Sequence, residues 1–241
     1  MIKILTGGGF GDAAMSIGKL YSKEAPYNLD LSEIYLTHVE VPKDLLPSIS
    51  SFYKTQNINH ITKQIPSWGW RSNHRKEFDY YLGSHWMKDN VGDESTWEIN
   101  PFPPLKYDYI NNIKTLVAIG GGRPNSPILR GFTEEQIIEL DTCYKDIIFV
   151  GKSNDEFYKN YKFKNINMIN KTTIEQLVNY ICSCKNFIGY LGFSLLLAGL
   201  ANKKIFGVKT NIGSHGNDGW DYRIHPKWDV TEIKNIKNIK I

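Results

Sequence analysis

The sequence has few of the residues that hold small secreted domains or metal centres together. It contains three cysteines, Cys143, Cys182 and Cys184, among 241 residues. This is too few for a disulfide framework, and the spacing does not match a tetrahedral zinc site. We therefore expect reduced thiols and a cytoplasmic protein, free or peripheral to a membrane, with Cys182 and Cys184 packed on a helix.

Long apolar runs and a strong charge of one sign are also missing. No apolar stretch is long enough for a membrane span, and the chain enters a predicted strand at Ile2 without a signal peptide, so we expect no transmembrane segment. The net charge is +4, with 29 basic and 25 acidic side chains interspersed. Because a nucleic-acid surface usually carries a dense basic stripe, we expect no nucleic-acid partner.

Two phosphate-binding motifs are incomplete. The run from Gly7 to Gly11 suggests a dinucleotide fingerprint, but Asp12 stands where the third glycine is required. Gly18 and Lys19 lack the remainder of a P-loop. A nicotinamide- or flavin-dependent Rossmann enzyme is therefore kept only as an alternative. No metal-ligand cluster or Asp-x-Asp turn is evident, and we expect neither a metal nor a cofactor.

What the sequence does contain is a regular alternation of strands and helices in its second half. Apolar strands are predicted at residues 115–119 and 147–150, at Phe187, and at residues 205–208. Capping boxes are predicted for the helices between them, Thr133 with Gln136 and Thr172 with Glu175. Strands that alternate with helices of this length predict a parallel, doubly wound sheet.

The turn at residues 189–194 is the most informative segment of this alternation. An apolar strand runs into Gly189 and Gly192, and Ser194 stands where we predict the start of a helix over 195–201. A helix N-terminus presents unpaired N–H groups and a positive dipole end to an anion such as a diphosphate. A serine that only caps the helix would give the same sequence, so both interpretations stay open.

The order of these segments resembles a known family. Four stretches carry the likeness: 9–16 (GFGDAAMS); 116–122 continuing through 130–134 (RGFTE); 147–151 followed by Asp155 and Glu156; and 170–177 running on to 187–194. They resemble the GT-B glycosyltransferases of the ADP-heptose:lipopolysaccharide heptosyltransferase family. The resemblance implies an α/β fold with two Rossmann-like lobes, parallel sheets flanked by helices, and a reduced N-terminal lobe.

For this chain the resemblance implies an acceptor-side lobe at residues 1–108 and a nucleotide-sugar-binding lobe at 109–241, with the prolines at 101–104 as linker. It also implies a metal-independent, inverting transfer of a sugar, of hexosyl or heptosyl type, from a nucleotide-sugar to the hydroxyl of a glycan or other acceptor. Asp12 would be the general base. Donor-binding residues would be Gly122, Arg123, Ser126, Arg130, Gly151, Asp155, Gly192, Phe193 and Ser194, and acceptor-side residues Gly9, Gly11, Arg71 and His74.

Each assignment has a purely structural alternative. Asp12 is also a good N-cap, Arg130 and the Arg71–His74 cluster also fit a solvated surface, and Asp155 also fits an acidic first helical turn. The family's Asp and His after the last turn are missing here, where Leu191 and Leu196 occur. A non-catalytic nucleotide- or sugar-binding relative of the same fold is therefore the main alternative function.

Overall fold

A computed structural model describes residues 2–6, 10–23, 32–37, 46–63, 80–82, 99–120, 131–208 and 224–241. The chain forms two compact units, Met1–Lys106 and Tyr107–Ile241. The sequence-based division at 108–109 lies two residues further along the chain. Which unit takes the acceptor and which the donor stays a prediction.

The first unit contains a parallel sheet and helices that alternate with its strands. Its elements are β1 (Ile2–Thr6), α1 (Phe10–Leu20), β2 (Ser32–Thr37), α2 (Leu46–Thr55), β3 (His60–Lys63) and β4 (Tyr80–Leu82). The strand order is β3-β2-β1-β4, and every described pair is parallel. This is the arrangement that successive βα units produce.

Helix α1 is buried on almost all sides. Small and apolar residues, among them Ala13, Ala14 and Ile17, have no exposed surface. The carbonyl of Gly18 also accepts a hydrogen bond of 2.9 Å from the backbone N–H of Asn100. The helix that begins at the first glycine turn is therefore a fixed part of the core of this unit.

The second unit has the longer alternation that the sequence predicts. Its elements are β5 (Thr115–Ala118), α3 (Glu134–Cys143), β6 (Ile147–Val150), α4 (Glu156–Asn160), β7 (Ile166–Asn167), α5 (Ile174–Ser183), β8 (Asn186–Tyr190), α6 (Phe193–Leu200), β9 (Lys204–Val208), β10 (Val230–Ile233) and a 3-10 helix, Ile236–Asn238. The order of the six-stranded sheet is β10-β9-β8-β5-β6-β7, and its described pairs are parallel.

The core of the second unit lies on both faces of this sheet. All four residues of β5 are buried, as expected for a central parallel strand covered by helices. Phe149 and Ile188 belong to a cluster that also includes Ile236 and Ile239, so the C-terminal segment packs on the same core. The hydroxyl of Tyr144 donates to the Ile236 carbonyl over 2.7 Å and fixes that segment to the end of α3.

The helix ends confirm one predicted capping box and correct the other. Thr133 and Gln136 form the box at α3, as predicted. At α5 the box is formed by Thr173 and Gln176, one residue later than the predicted Thr172 and Glu175. Both pairs satisfy the same sequence rule, and only the start of the helix at Ile174 selects between them.

The cysteines are free thiols. Cys143 is exposed, whereas Cys182 in α5 and Cys184 at its C-cap are buried. Burial raises the pKa of both buried thiols to about 12, so they stay protonated at neutral pH. The packing role that the sequence predicts for these two cysteines is confirmed.

Candidate functional site

In the sheet of the second unit, the strands that follow β5 in the sequence lie first on one side of it and then on the other. From β5 the chain proceeds through β6 to β7 on one side, and β8, β9 and β10 follow on the other. The carboxyl ends of β5 and β8 are therefore neighbours whose following helices diverge. A crevice of this kind is where open α/β sheets bind their ligands.

On the β5 side, the loop that leaves the sheet returns to its own starting point. Gly120 forms an antiparallel bridge with Gly131, and the N–H of Phe132 donates to the carbonyl of Ile119 over 3.0 Å. Thr133 then caps α3 with its side chain. Both ends of the loop are thus fixed at the crevice.

On the β8 side, Tyr190 connects the strand to the start of α3. Its hydroxyl donates to Gln136 Oε1 over 3.3 Å, and its ring meets Phe132 edge-on with centroids 4.9 Å apart. Burial raises the pKa of Tyr190, so the phenol keeps the proton that it donates. The first turn of α3 and the end of β8 are held together across the crevice.

Helix α6 begins at this point without a side-chain cap. Gly192 is the N-cap, its backbone is extended, and as a glycine it has no side chain to accept a hydrogen bond from the first turn. The predicted start of the helix at Ser194 is therefore wrong, since Phe193 and Ser194 already lie in its first turn. Backbone N–H groups of this turn and a partly exposed hydroxyl are what the segment offers to an anion.

The apolar residues around this turn point into the core. Leu191, Leu195 and Leu196 are all buried. They belong to the apolar core of the unit. Backbone groups and the hydroxyl of Ser194 are therefore the main polar features of the turn.

Gly151 and Asp155, predicted to bind the donor, both have a structural role. Gly151 has φ +131°, and a Cβ there would lie 2.7 Å from Cγ1 of Ile119, so only glycine fits. Asp155 is the N-cap of α4 and accepts from the N–H of Phe157 over 3.0 Å. Asn170 closes the same loop with two hydrogen bonds to the backbone of Ser153. Ligand contacts of Gly151 and Asp155 stay predictions.

In the first unit, α1 begins earlier than predicted. Its first residue is Phe10, so Gly11 and Asp12 lie inside its first turn. Asp12 is therefore not the N-cap, and that structural alternative is wrong. A carboxylate in the first turn is still favoured by the helix dipole, and Asp12 is partly exposed.

Several predicted site residues lie outside the described part of the chain. On the donor side these are Gly122, Arg123, Ser126 and Arg130, and on the acceptor side Gly9, Arg71 and His74. Their roles stay predictions. Among the described residues, no group of three or more His, Cys, Asp or Glu side chains is placed to hold a metal ion. A search of the same residues finds no helix long and apolar enough to cross a membrane.

Sequence reasoning missed Tyr190 as a site residue and assigned Gln136 only to a helix cap. Their contact joins positions 54 apart in the chain and depends on β8 lying beside β5. The capping box located Gln136, but no sequence signal predicted its second hydrogen bond.

Solved structures of glycosyltransferases have the same fold. Escherichia coli ADP-heptose LPS heptosyltransferase II matches with a TM-score of 0.58 at 13% identity, over 97% of this chain and 90% of that one. A family 9 glycosyl transferase from Veillonella parvula matches at 0.54 and 12%, over 96% and 86%. E. coli heptosyltransferase WaaC with ADP matches at 0.53 and 9%, over 96% and 90%. No protein-family profile and no curated protein matches the chain in sequence.

At these identities the likeness concerns the fold. The chain has a heptosyltransferase-like GT-B fold, α/β with parallel sheets flanked by helices, and this confirms the predicted fold class. The matches span both units, since they cover at least 96% of the chain.

Proposed function

We propose that this protein is a glycosyltransferase that moves a sugar from a nucleotide-sugar to an acceptor hydroxyl. The observation that carries the proposal is the crevice between β5 and β8, with the uncapped start of α6 at Gly192 on one wall. The shared fold supports it, because the solved structures with that fold include a heptosyltransferase with ADP and with ADP-2-deoxy-2-fluoro heptose.

The donor's diphosphate would lie at the first turn of α6. Backbone N–H groups and the positive end of the helix dipole stabilise negative charge without reorganising, which helps a diphosphate to leave. The predicted basic residues Arg123 and Arg130 lie in the sequence between Gly120 and Gly131, which form a bridge beside the same crevice. We propose that they neutralise the remaining charge of the diphosphate.

Asp12 would activate the acceptor. Its carboxylate would take the proton from the acceptor hydroxyl while that oxygen bonds to the anomeric carbon. The bond from that carbon to the diphosphate oxygen breaks, and the nucleoside diphosphate leaves with the electron pair. A single displacement of this kind inverts the anomeric centre and requires no metal in the proposed scheme.

Calorimetry and a transfer assay test the two halves of the proposal. We expect one of ADP, GDP, UDP and CDP to bind the wild-type protein and the matching nucleotide-sugar to be consumed with an acceptor. Asp12→Asn should lower kcat by about 10²- to 10⁴-fold and leave nucleoside diphosphate binding unchanged, because only the base is lost.

The matched control is Asp108→Asn, which neutralises an exposed carboxylate outside the predicted sites. It should change neither binding nor transfer. Full transfer activity in Asp12→Asn would refute the assignment of the base, and a wild-type protein that binds none of the four diphosphates would refute the donor site.

A non-catalytic nucleotide-binding protein is the second candidate. It is favoured by the composition of the turn between β8 and α6, where Leu191 is buried and Gly192, Phe193 and Ser194 provide no ionisable side chain. The same experiment separates the candidates. Binding of a nucleoside diphosphate without hydrolysis or transfer of any matching donor supports the binding protein.

A further inference from the structure

Gln136 has two hydrogen-bonding tasks at the crevice, and both use the same atom. Its Oε1 accepts from the backbone N–H of Thr133 over 2.9 Å, which completes the capping box of α3. The same Oε1 accepts from the hydroxyl of Tyr190 over 3.3 Å. An amide NH₂ cannot accept, so Oε1 must face these two donors and Nε2 must be directed away from them.

The two bonds leave the Nε2 donors of Gln136 for another group. Within the part of the chain that the structure describes, no hydrogen bond from Nε2 is recorded, and the side chain is only partly buried. The side chain is held by its own helix and by Tyr190, whose ring in turn packs edge-on against Phe132. A donor that is held in this way costs little conformational entropy when a ligand binds.

We infer that Gln136 donates from Nε2 to the diphosphate of the bound nucleotide-sugar, and that Tyr190 is the positioning residue that holds it there. This inference rests on the proposed function and adds a specificity element to its donor site. A neutral amide at this position can donate a hydrogen bond to a diphosphate, whereas a carboxylate of the same shape repels its negative charge.

The chain offers a substitution that changes the charge and keeps the structure. Gln136→Glu retains the capping box, because glutamate is a regular member of that motif, and it keeps an oxygen for Tyr190. The only change is that Nε2 becomes a negatively charged oxygen. Gln176→Glu makes the same change in the capping box of α5, which follows the edge strand β7 and not the crevice.

Tyr190→Phe tests the positioning role. It keeps the ring against Phe132 and removes only the hydroxyl bond to Gln136. The loss of one neutral hydrogen bond predicts an affinity lower by about three- to tenfold. Gln136→Glu should weaken binding by about tenfold or more at low salt, and the loss should shrink as ionic strength rises, since it is electrostatic.

The experiment measures the affinity of full-length wild type and the three variants for ADP, GDP, UDP, CDP and inorganic pyrophosphate at two salt concentrations, with unfolding curves for each. Support requires a salt-dependent loss in Gln136→Glu, a smaller loss in Tyr190→Phe, and an unchanged Gln176→Glu. If the wild type binds a diphosphate and Gln136→Glu binds it equally well, the inference is overturned and the proposed function stands. If the wild type binds none of these probes, the proposed function fails and the inference fails with it.

Discussion

The helices of the second unit fall into two groups by the way their N-termini are satisfied. Helices α3, α4 and α5 each begin at a residue whose own side chain accepts a first-turn N–H, namely Thr133, Asp155 and Thr173. Helix α6 has Gly192 as its N-cap, a residue with no side chain for this purpose. All four follow strands of one sheet, so the difference does not arise from the architecture.

This difference in capping indicates which helix N-termini are satisfied within the protein and which one is available to a ligand. The loop that leads into α4 is completed by internal hydrogen bonds from Asn170, and the end of α3 is fixed by Asp141. At α6 the N-cap residue Gly192 has no side chain to offer to the first-turn amides, although serine stands two residues after the cap. An anion binds at a helix N-terminus through backbone N–H groups that a capping side chain does not occupy.

Asp141, in α3, provides the strongest test for the helices that have side-chain caps. This buried carboxylate accepts hydrogen bonds from the N–H groups of Lys164 and Asn165, from the side chain of Asn165 and from the hydroxyl of Tyr161. In Asp141→Asn an NH₂ group replaces one of the two carboxylate oxygens. This group cannot accept the hydrogen bonds that the oxygen accepted. We expect a loss of about 3 kcal/mol in the free energy of unfolding, measured with denaturant.

The same substitution has a pH signature. Burial by itself raises the pKa of Asp141, but the hydrogen bonds from Lys164, Asn165 and Tyr161 outweigh it and hold the pKa below the usual range of an aspartate. Its contribution to stability is therefore complete above the unfolded-state pKa and is lost as the pH falls through the lower, folded-state pKa. Asp141→Asn should flatten this part of the acid unfolding profile. Asp146→Asn, at an exposed ion pair with Lys114, is the control and should lower the free energy of unfolding much less. Equal losses in both variants would contradict the account.

Thr173→Ala has a smaller expected effect on the same group. It removes the side-chain acceptor of the α5 capping box, which costs about 1 kcal/mol of unfolding free energy. Nucleoside diphosphate affinity should stay unchanged, because this cap lies at the helix that follows the edge strand β7. A variant that lost affinity together with stability would show that the two groups of helix ends are not independent.

Much of this architecture could be predicted from the sequence, because the alternation of apolar strands and capped helices is a local signal. The box of Thr133 and Gln136 and the strand at Phe187 are predicted on this basis. The box at α5 was placed one residue early, because two overlapping pairs fit one rule. The preference for serine at N-caps predicts a helix start at Ser194. It does not take into account that the two residues before the serine can already belong to the helix start.

The arrangement of the site depends on contacts between distant parts of the chain, and these could not be predicted. The bond between Tyr190 and Gln136 exists because β8 inserts beside β5, which no periodicity specifies. The fit of Gly151 against Ile119 is likewise set by the neighbouring strand. Leu191 and Leu196 occur where the sequence resemblance predicts polar residues, and only their burial shows that they face the core.

Gly192→Asp has the smallest expected effect on stability and tests the central claim most directly. The backbone at Gly192 is extended, so aspartate fits there, and its carboxylate would cap α6 as Asp155 caps α4. We expect unfolding free energy to change by only a few tenths of a kcal/mol.

The measurement is the calorimetric affinity for the tightest-binding of ADP, GDP, UDP and CDP, with Thr173→Asp as the control that exchanges an existing cap. The account predicts that binding weakens by about a hundredfold or more in Gly192→Asp, because the new carboxylate occupies the amides and repels the diphosphate, and is unchanged in Thr173→Asp. Undiminished binding by Gly192→Asp would contradict it.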